Sequence, residues 1–81
     1  MNKALRTDGL RIANKINILK FMRNREDITK PDIQKELGLS APTVSHLVDE
    51  LVEEGFVRWN GIGASTDQGG KRPNLYSFNG L

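Results

Sequence analysis

Apolar residues recur through the first third of the chain at three- and four-residue spacing. Leu10, Ile12, Ile16, Leu19 and Met22 set the pattern, and Ile18 and Phe21 widen it. This period predicts an amphipathic helix from about Gly9 to Asn24, with basic residues mostly between the apolar positions. Residues 1–8 are polar, fall outside the pattern and are expected to be loose. A short extended piece at Asp27-Ile28 leads into Thr29-Lys30-Pro31-Asp32, which has the marks of a helix start. Thr29 suits the N-cap, Pro31 fits the first turn where a missing amide hydrogen costs nothing, and the Asp32 charge favours the free amides. Ile33 and Leu37 lie one turn apart, and Gly38 ends the helix in the left-handed conformation that glycine adopts cheaply.

Two residues on, the start signal repeats. Ser40 is placed as N-cap and Pro42 in the first turn, and Val44, Leu47, Val48, Leu51 and Val52 follow at helical spacing until Gly55. Two capped helices joined by Gly38-Leu39-Ser40 have the layout of a helix-turn-helix. After Gly55 the pattern changes. Phe56-Val57-Arg58-Trp59 and Leu75-Tyr76-Ser77-Phe78 are rich in aromatic or β-branched residues and are predicted as strands. Between them, Asn60 to Pro73 holds four glycines and no periodicity, which predicts a loop. The fold class is therefore α+β, mainly α: a winged helix-turn-helix of three helices followed by a two-stranded β-hairpin wing, filling residues 9–81 as one domain.

Composition narrows the function. A chain of 81 residues makes one small domain. With no cysteine it has neither a disulfide framework nor a cysteine-bearing zinc site. It contains no apolar run of membrane-spanning length, and Met1 to Arg6 lacks the apolar stretch of a secretory signal. A cytoplasmic protein without membrane contact is expected. The net charge of +2 says less than its distribution. Lys3, Arg6, Arg11, Lys15, Lys20, Arg23 and Arg25 face Asp8 alone in the first 25 residues, whereas Asp49, Glu50, Glu53 and Glu54 gather on the third helix. Such a polarised surface suits a module that binds a polyanion.

The exposed face of the third helix is small and polar at its start and acidic at its end. Only its first two turns can approach DNA, as in helix-turn-helix docking generally, where the N-terminal residues of the second helix of the motif reach base edges. Thr43, Ser45 and His46 are thus the candidates for base contact, since hydroxyls and neutral imidazole can donate or accept there. Helix N-termini also receive phosphates, which places Thr29 and Lys30 on the DNA backbone. The run Gly69-Gly70-Lys71-Arg72-Pro73 combines a close-approaching backbone with two cations, suited to phosphates or a narrow minor groove. Catalysis is not expected: His46 has neither a cysteine to activate nor a second histidine, and the loop glycines do not open a helix after a strand. No cofactor or metal is expected either. A different class of function is a protein-interaction module that offers Asp49, Glu50, Glu53 and Glu54 to a partner.

Three stretches carry a resemblance to the N-terminal DNA-binding region of the ROK family of bacterial transcriptional repressors, which includes xylose and N-acetylglucosamine repressors. Asn14-Lys15-Ile16-Asn17-Ile18-Leu19 resembles the family's opening helix. Glu36-Leu37-Gly38-Leu39-Ser40-Ala41-Pro42-Thr43-Val44-Ser45, continuing through Val48 to Val57, resembles its turn and recognition helix. Gly69-Gly70-Lys71-Arg72-Pro73 is similar to its glycine-and-arginine wing. The likeness covers about residues 10–79. It implies major-groove positions for Ser40, Ala41, Pro42, Thr43, Ser45 and His46, and wing positions near the minor groove for Gly69, Gly70, Lys71 and Arg72. His46 stands where many members carry arginine or lysine, Asp67-Gln68 resembles an insertion, and Ile62 takes a place often basic. The resemblance further implies repression of sugar-use genes, a homodimer on a palindromic operator, and a sugar effector bound by a kinase-like domain. That domain is not among these residues, so the chain is expected to be a piece of a longer protein or a stand-alone domain.

Overall fold

A computed structural model describes residues 3–63 and 72–80. It contains α1 (Lys3–Met22), α2 (Lys30–Leu37), α3 (Ala41–Glu53), β1 (Val57–Ile62) and β2 (Asn74–Phe78). Three helices precede one antiparallel hairpin, as the winged helix-turn-helix reading requires. α1 packs on α2, α3 and β2, and α3 packs on β1, so the hairpin closes the open side of the helical layer.

The caps anticipated from sequence are formed. The Thr29 hydroxyl accepts from the Asp32 amide, while the Asp32 carboxylate accepts from the Thr29 amide, completing a reciprocal capping box. The Ser40 hydroxyl accepts from the Thr43 amide. Gly38 has φ 68, and its amide donates to the Gln34 carbonyl, which turns the chain sharply into α3.

The core consists of Ile18, Met22, Ile28, Ile33, Val44, Leu47, Val48, Leu51, Val57 and Tyr76. Three elements differ from expectation. First, α1 begins at Lys3, so residues 3–8, expected to be loose, are helical. Lys3-Ala4-Leu5-Arg6 are all good helix formers, and a helix can extend beyond the apolar periodicity that marked its start at Gly9. Second, Leu10, Ile12 and Ile16 are exposed, while Ile18 and Met22 are completely buried. α1 carries two apolar stripes offset by two residues, Ile12/Ile16 and Ile18/Met22, and residues two apart on a helix do not share a face. Only the second meets the core.

Third, Asn60, Gly61 and Ile62 belong to β1 rather than to the loop. The pairing runs Val57 with Phe78, Arg58 with Ser77 and Trp59 with Tyr76, then resumes at Gly61 with Leu75. Asn60 is the extra residue of a β-bulge, followed by Gly61 at φ 105. The bulge has a function in the fold. Asn60 Nδ2 donates to the buried Ser77 hydroxyl and, at 3.1 Å, to Asp27 Oδ1, while the Asp27 amide donates to the same hydroxyl. Asp27 has φ 55, a left-handed conformation that aspartate tolerates better than most residues. Next to it, Ile28 exchanges two 2.8 Å backbone hydrogen bonds with Tyr76. The extended piece predicted at Asp27-Ile28 therefore pairs with β2, and the base of the wing is pinned to the α1–α2 connection.

Candidate nucleic-acid interface

At the N-terminal end of α3, Ser40, Ala41, Pro42 and His46 are exposed and Thr43 is half-buried. Pro42 removes one amide from the first turn and Ser40 caps another, which leaves a surface of small, uncharged groups. The Ser40 hydroxyl donates to Thr43 Oγ1 at 2.9 Å, so the Thr43 hydroxyl hydrogen remains available outward. His46 is two-thirds exposed and its Nε2 lies 3.0 Å from Glu50 Oε2, one turn along the helix. Pro42, Thr43 and His46 border one open groove.

Lys30 on α2 reaches across to Ser45, which flanks the exposed side of α3. Lys30 Nζ donates to Ser45 Oγ at 3.0 Å and to Asp49 Oδ1 at 2.8 Å, and it sits 5.6 Å from the centre of the Tyr76 ring. The Thr29 hydroxyl is occupied by the Asp32 amide.

The acidic half of α3 is neutralised from within the chain. The stripe of α1 that ends in Ile18 and Met22 begins, two turns earlier, with Arg11 and Lys15. Lys15 Nζ lies 3.0 Å from Glu50 Oε1 and 3.0 Å from Glu54 Oε2, and Arg11 Nε donates to Glu50 Oε1 at 3.2 Å. With Lys30 on Asp49, three of the four carboxylates of the acidic segment have intramolecular counter-ions. Repulsion between this segment and a polyanion is correspondingly reduced. The same pairing leaves little free charge for an acidic partner-docking patch.

Arg11 has a second role that the sequence did not reveal. With Leu10 and Asn14 it borders an open groove whose other wall is Pro42, Thr43, His46 and Leu47. This groove depends on how α1 crosses α3, and periodicity within one helix carries no signal for it. On the wing, Arg72 is exposed and Pro73 is half-buried, and the Gly63 amide donates to the Pro73 carbonyl at 2.8 Å. Gly69, Gly70 and Lys71 lie outside the described residues.

Two capped helices across a left-handed glycine, an exposed N-terminal face on the second, and a hairpin pinned beside them make a DNA-reading architecture. Residues 13–58 match the winged helix-turn-helix DNA-binding family. The chain belongs to that family. Its relatives agree with the resemblance noted from sequence. A protein of Caldicellulosiruptor sp. (strain Rt8B.4), provisionally named a xylose repressor, is 44% identical over 66 residues, 82% of this chain and 16% of its own length. The xylose repressor of Caldicellulosiruptor bescii is 40% identical over 70 residues, 86% of this chain and 17% of the relative. That of Staphylococcus xylosus is 33% identical over 66 residues, 82% of this chain and 17% of the relative. The chain thus spans about a sixth of the length of the curated relatives it matches. Among the described residues, no helix is long and apolar enough to cross a membrane.

Proposed function

We propose that this chain is the operator-reading domain of a bacterial transcriptional repressor of sugar-use genes, acting in the cytoplasm. The observation that carries this reading is the division of α3. Its first turns present Ala41, Pro42, Thr43 and His46 without a negative group, and its acidic remainder is held by Arg11, Lys15 and Lys30. The N-terminal turns of α3 enter the major groove, where Thr43, Ser45 and His46 meet base edges. Ser40, Ala41 and Pro42 form the close-approaching rim. Thr29, with the amides at the start of α2, lies near a phosphate. Gly69, Gly70, Lys71 and Arg72 bring the wing to the backbone or minor groove.

The relatives' names supply the sugar context. A two-fold dimer on a palindromic site, and a sugar effector bound by a separate domain of the parent protein, complete the reading.

Selection from a randomised duplex library at two salt concentrations tests it. A half-site reader enriches a motif of a few base pairs and loses affinity steeply as salt rises. Absence of binding even at low salt would overturn the DNA reading.

A further inference from the structure

Lys30 has the place of a phosphate contact, at the mouth of α2, but its ammonium is turned onto α3. Only a quarter of its side chain is exposed, and it holds Ser45 Oγ at 3.0 Å and Asp49 Oδ1 at 2.8 Å. An ammonium has three hydrogens and no lone pair, so Ser45 Oγ is the acceptor in this bond. The hydroxyl's own hydrogen must therefore point elsewhere, and the adjacent positive charge polarises it toward donation. With one lone pair of that oxygen taken by Lys30, it is a poorer acceptor for a base amino group.

Building on the operator-reading function proposed above, we infer that Lys30 is a positioning residue for DNA recognition, which makes Ser45 a directed hydrogen-bond donor. The base facing Ser45 then presents an acceptor in the major groove: guanine O6 or N7, adenine N7, or thymine O4. Cytosine, whose major-groove edge offers only its amino donor, is selected against. Lys30 thus contributes to sequence preference without touching a base. This differs from a phosphate contact, whose loss weakens binding to all sequences alike and lowers the salt slope.

The test compares library selections by the wild-type domain, Ser45→Ala and Lys30→Met, which keeps the aliphatic stem and loses the charge. Ser45→Ala identifies the base pair that Ser45 reads, because preference there flattens. At that position the wild type should deplete cytosine by roughly three- to tenfold, the worth of one hydrogen bond. Lys30→Met should lose this depletion and leave the salt slope of binding unchanged, and Lys30→Arg should retain it. A uniform loss of affinity in Lys30→Met with a slope smaller by about one would assign Lys30 to a phosphate and overturn the inference. If Lys30→Met fails to fold, the wild type and Ser45→Ala still decide it: a Ser45 position tolerant of cytosine overturns it. A wild-type domain that enriches no motif instead sinks the operator reading, and this inference with it.

Discussion

Lys15 on α1 and Glu50 on α3 form a 3.0 Å ion pair in which each side chain keeps less than a fifth of its surface exposed. Glu50 also takes Arg11 and His46, so one carboxylate gathers three basic side chains from two helices. Exposed pairs contribute at most about 1 kcal/mol, whereas removing one partner of a fully buried pair costs about 3–5 kcal/mol. This cluster lies between those limits. Glu50→Ala should therefore cost about 1–2 kcal/mol in urea unfolding, because Arg11 and Lys15 lose their shared partner and only Lys15 keeps another, Glu54. Glu53 is exposed on the same helix, and Glu53→Ala should stay within about 0.5 kcal/mol of wild type. Equal effects at the two positions would show that the cluster adds nothing to the α1–α3 contact.

The two apolar stripes of α1 lead to a sharper contrast. Ile18 is completely buried, and Ile16, two residues away, is 46% exposed. Ile18→Ala should cost about 2–5 kcal/mol, the range for large-to-small changes in a close-packed core. Ile16→Ala should cost far less, within about 1 kcal/mol, since little packing is lost. Denaturant titration of both variants, compared at a common slope, checks the assignment of the buried stripe.

Much of this fold is legible from local chemistry, because the signals that specify it are local. Thr29 with Asp32, Ser40 with Pro42, and Gly38 each mark a helix end by a rule that needs no knowledge of the rest of the chain. Where the deciding contact is distant, the sequence is silent. The choice between Ile16 and Ile18 depends on what packs over α1, and the strand character of Asn60 depends on Ser77 and Asp27. Of the candidate DNA contacts, Pro42 and His46 lie on the exposed face that the helical wheel places opposite Val44, Leu47 and Val48. The wheel shows neither that Lys30 reaches over to Ser45 nor that Arg11 borders the groove. Both follow from tertiary packing.

Two glycines should respond to alanine with opposite sign. Gly9 lies inside α1, where an added Cβ would meet nothing within 4 Å, so Gly9→Ala should stabilise by about 0.5–1 kcal/mol. Gly38 also has open space for a Cβ, but its φ is +68. The cost of Gly38→Ala is then purely that of the left-handed backbone, about 1–2 kcal/mol. Thermal unfolding of the pair should show one midpoint above wild type and one below. A neutral Gly38→Ala would mean that the turn relaxes without loss.

Wing and recognition helix should fail in different ways if both touch DNA. On the proposed reading Lys71 and Arg72 supply charge without reading a base, so their joint replacement by alanine should weaken binding to every duplex. The slope of log affinity against log salt should become shallower by about one to two units, as fewer counterions are released. His46 is two-thirds exposed beside Thr43 on the face assigned to base edges. His46→Ala should therefore change preference at one or two base pairs and leave the salt slope nearly constant, since a base contact reads sequence while the slope follows phosphate contacts. Fluorescence anisotropy over a salt series, on the selected site and on a scrambled duplex, separates the two behaviours. A double wing variant that bound both duplexes like wild type would remove the wing from the interface and leave the whole of recognition to α3.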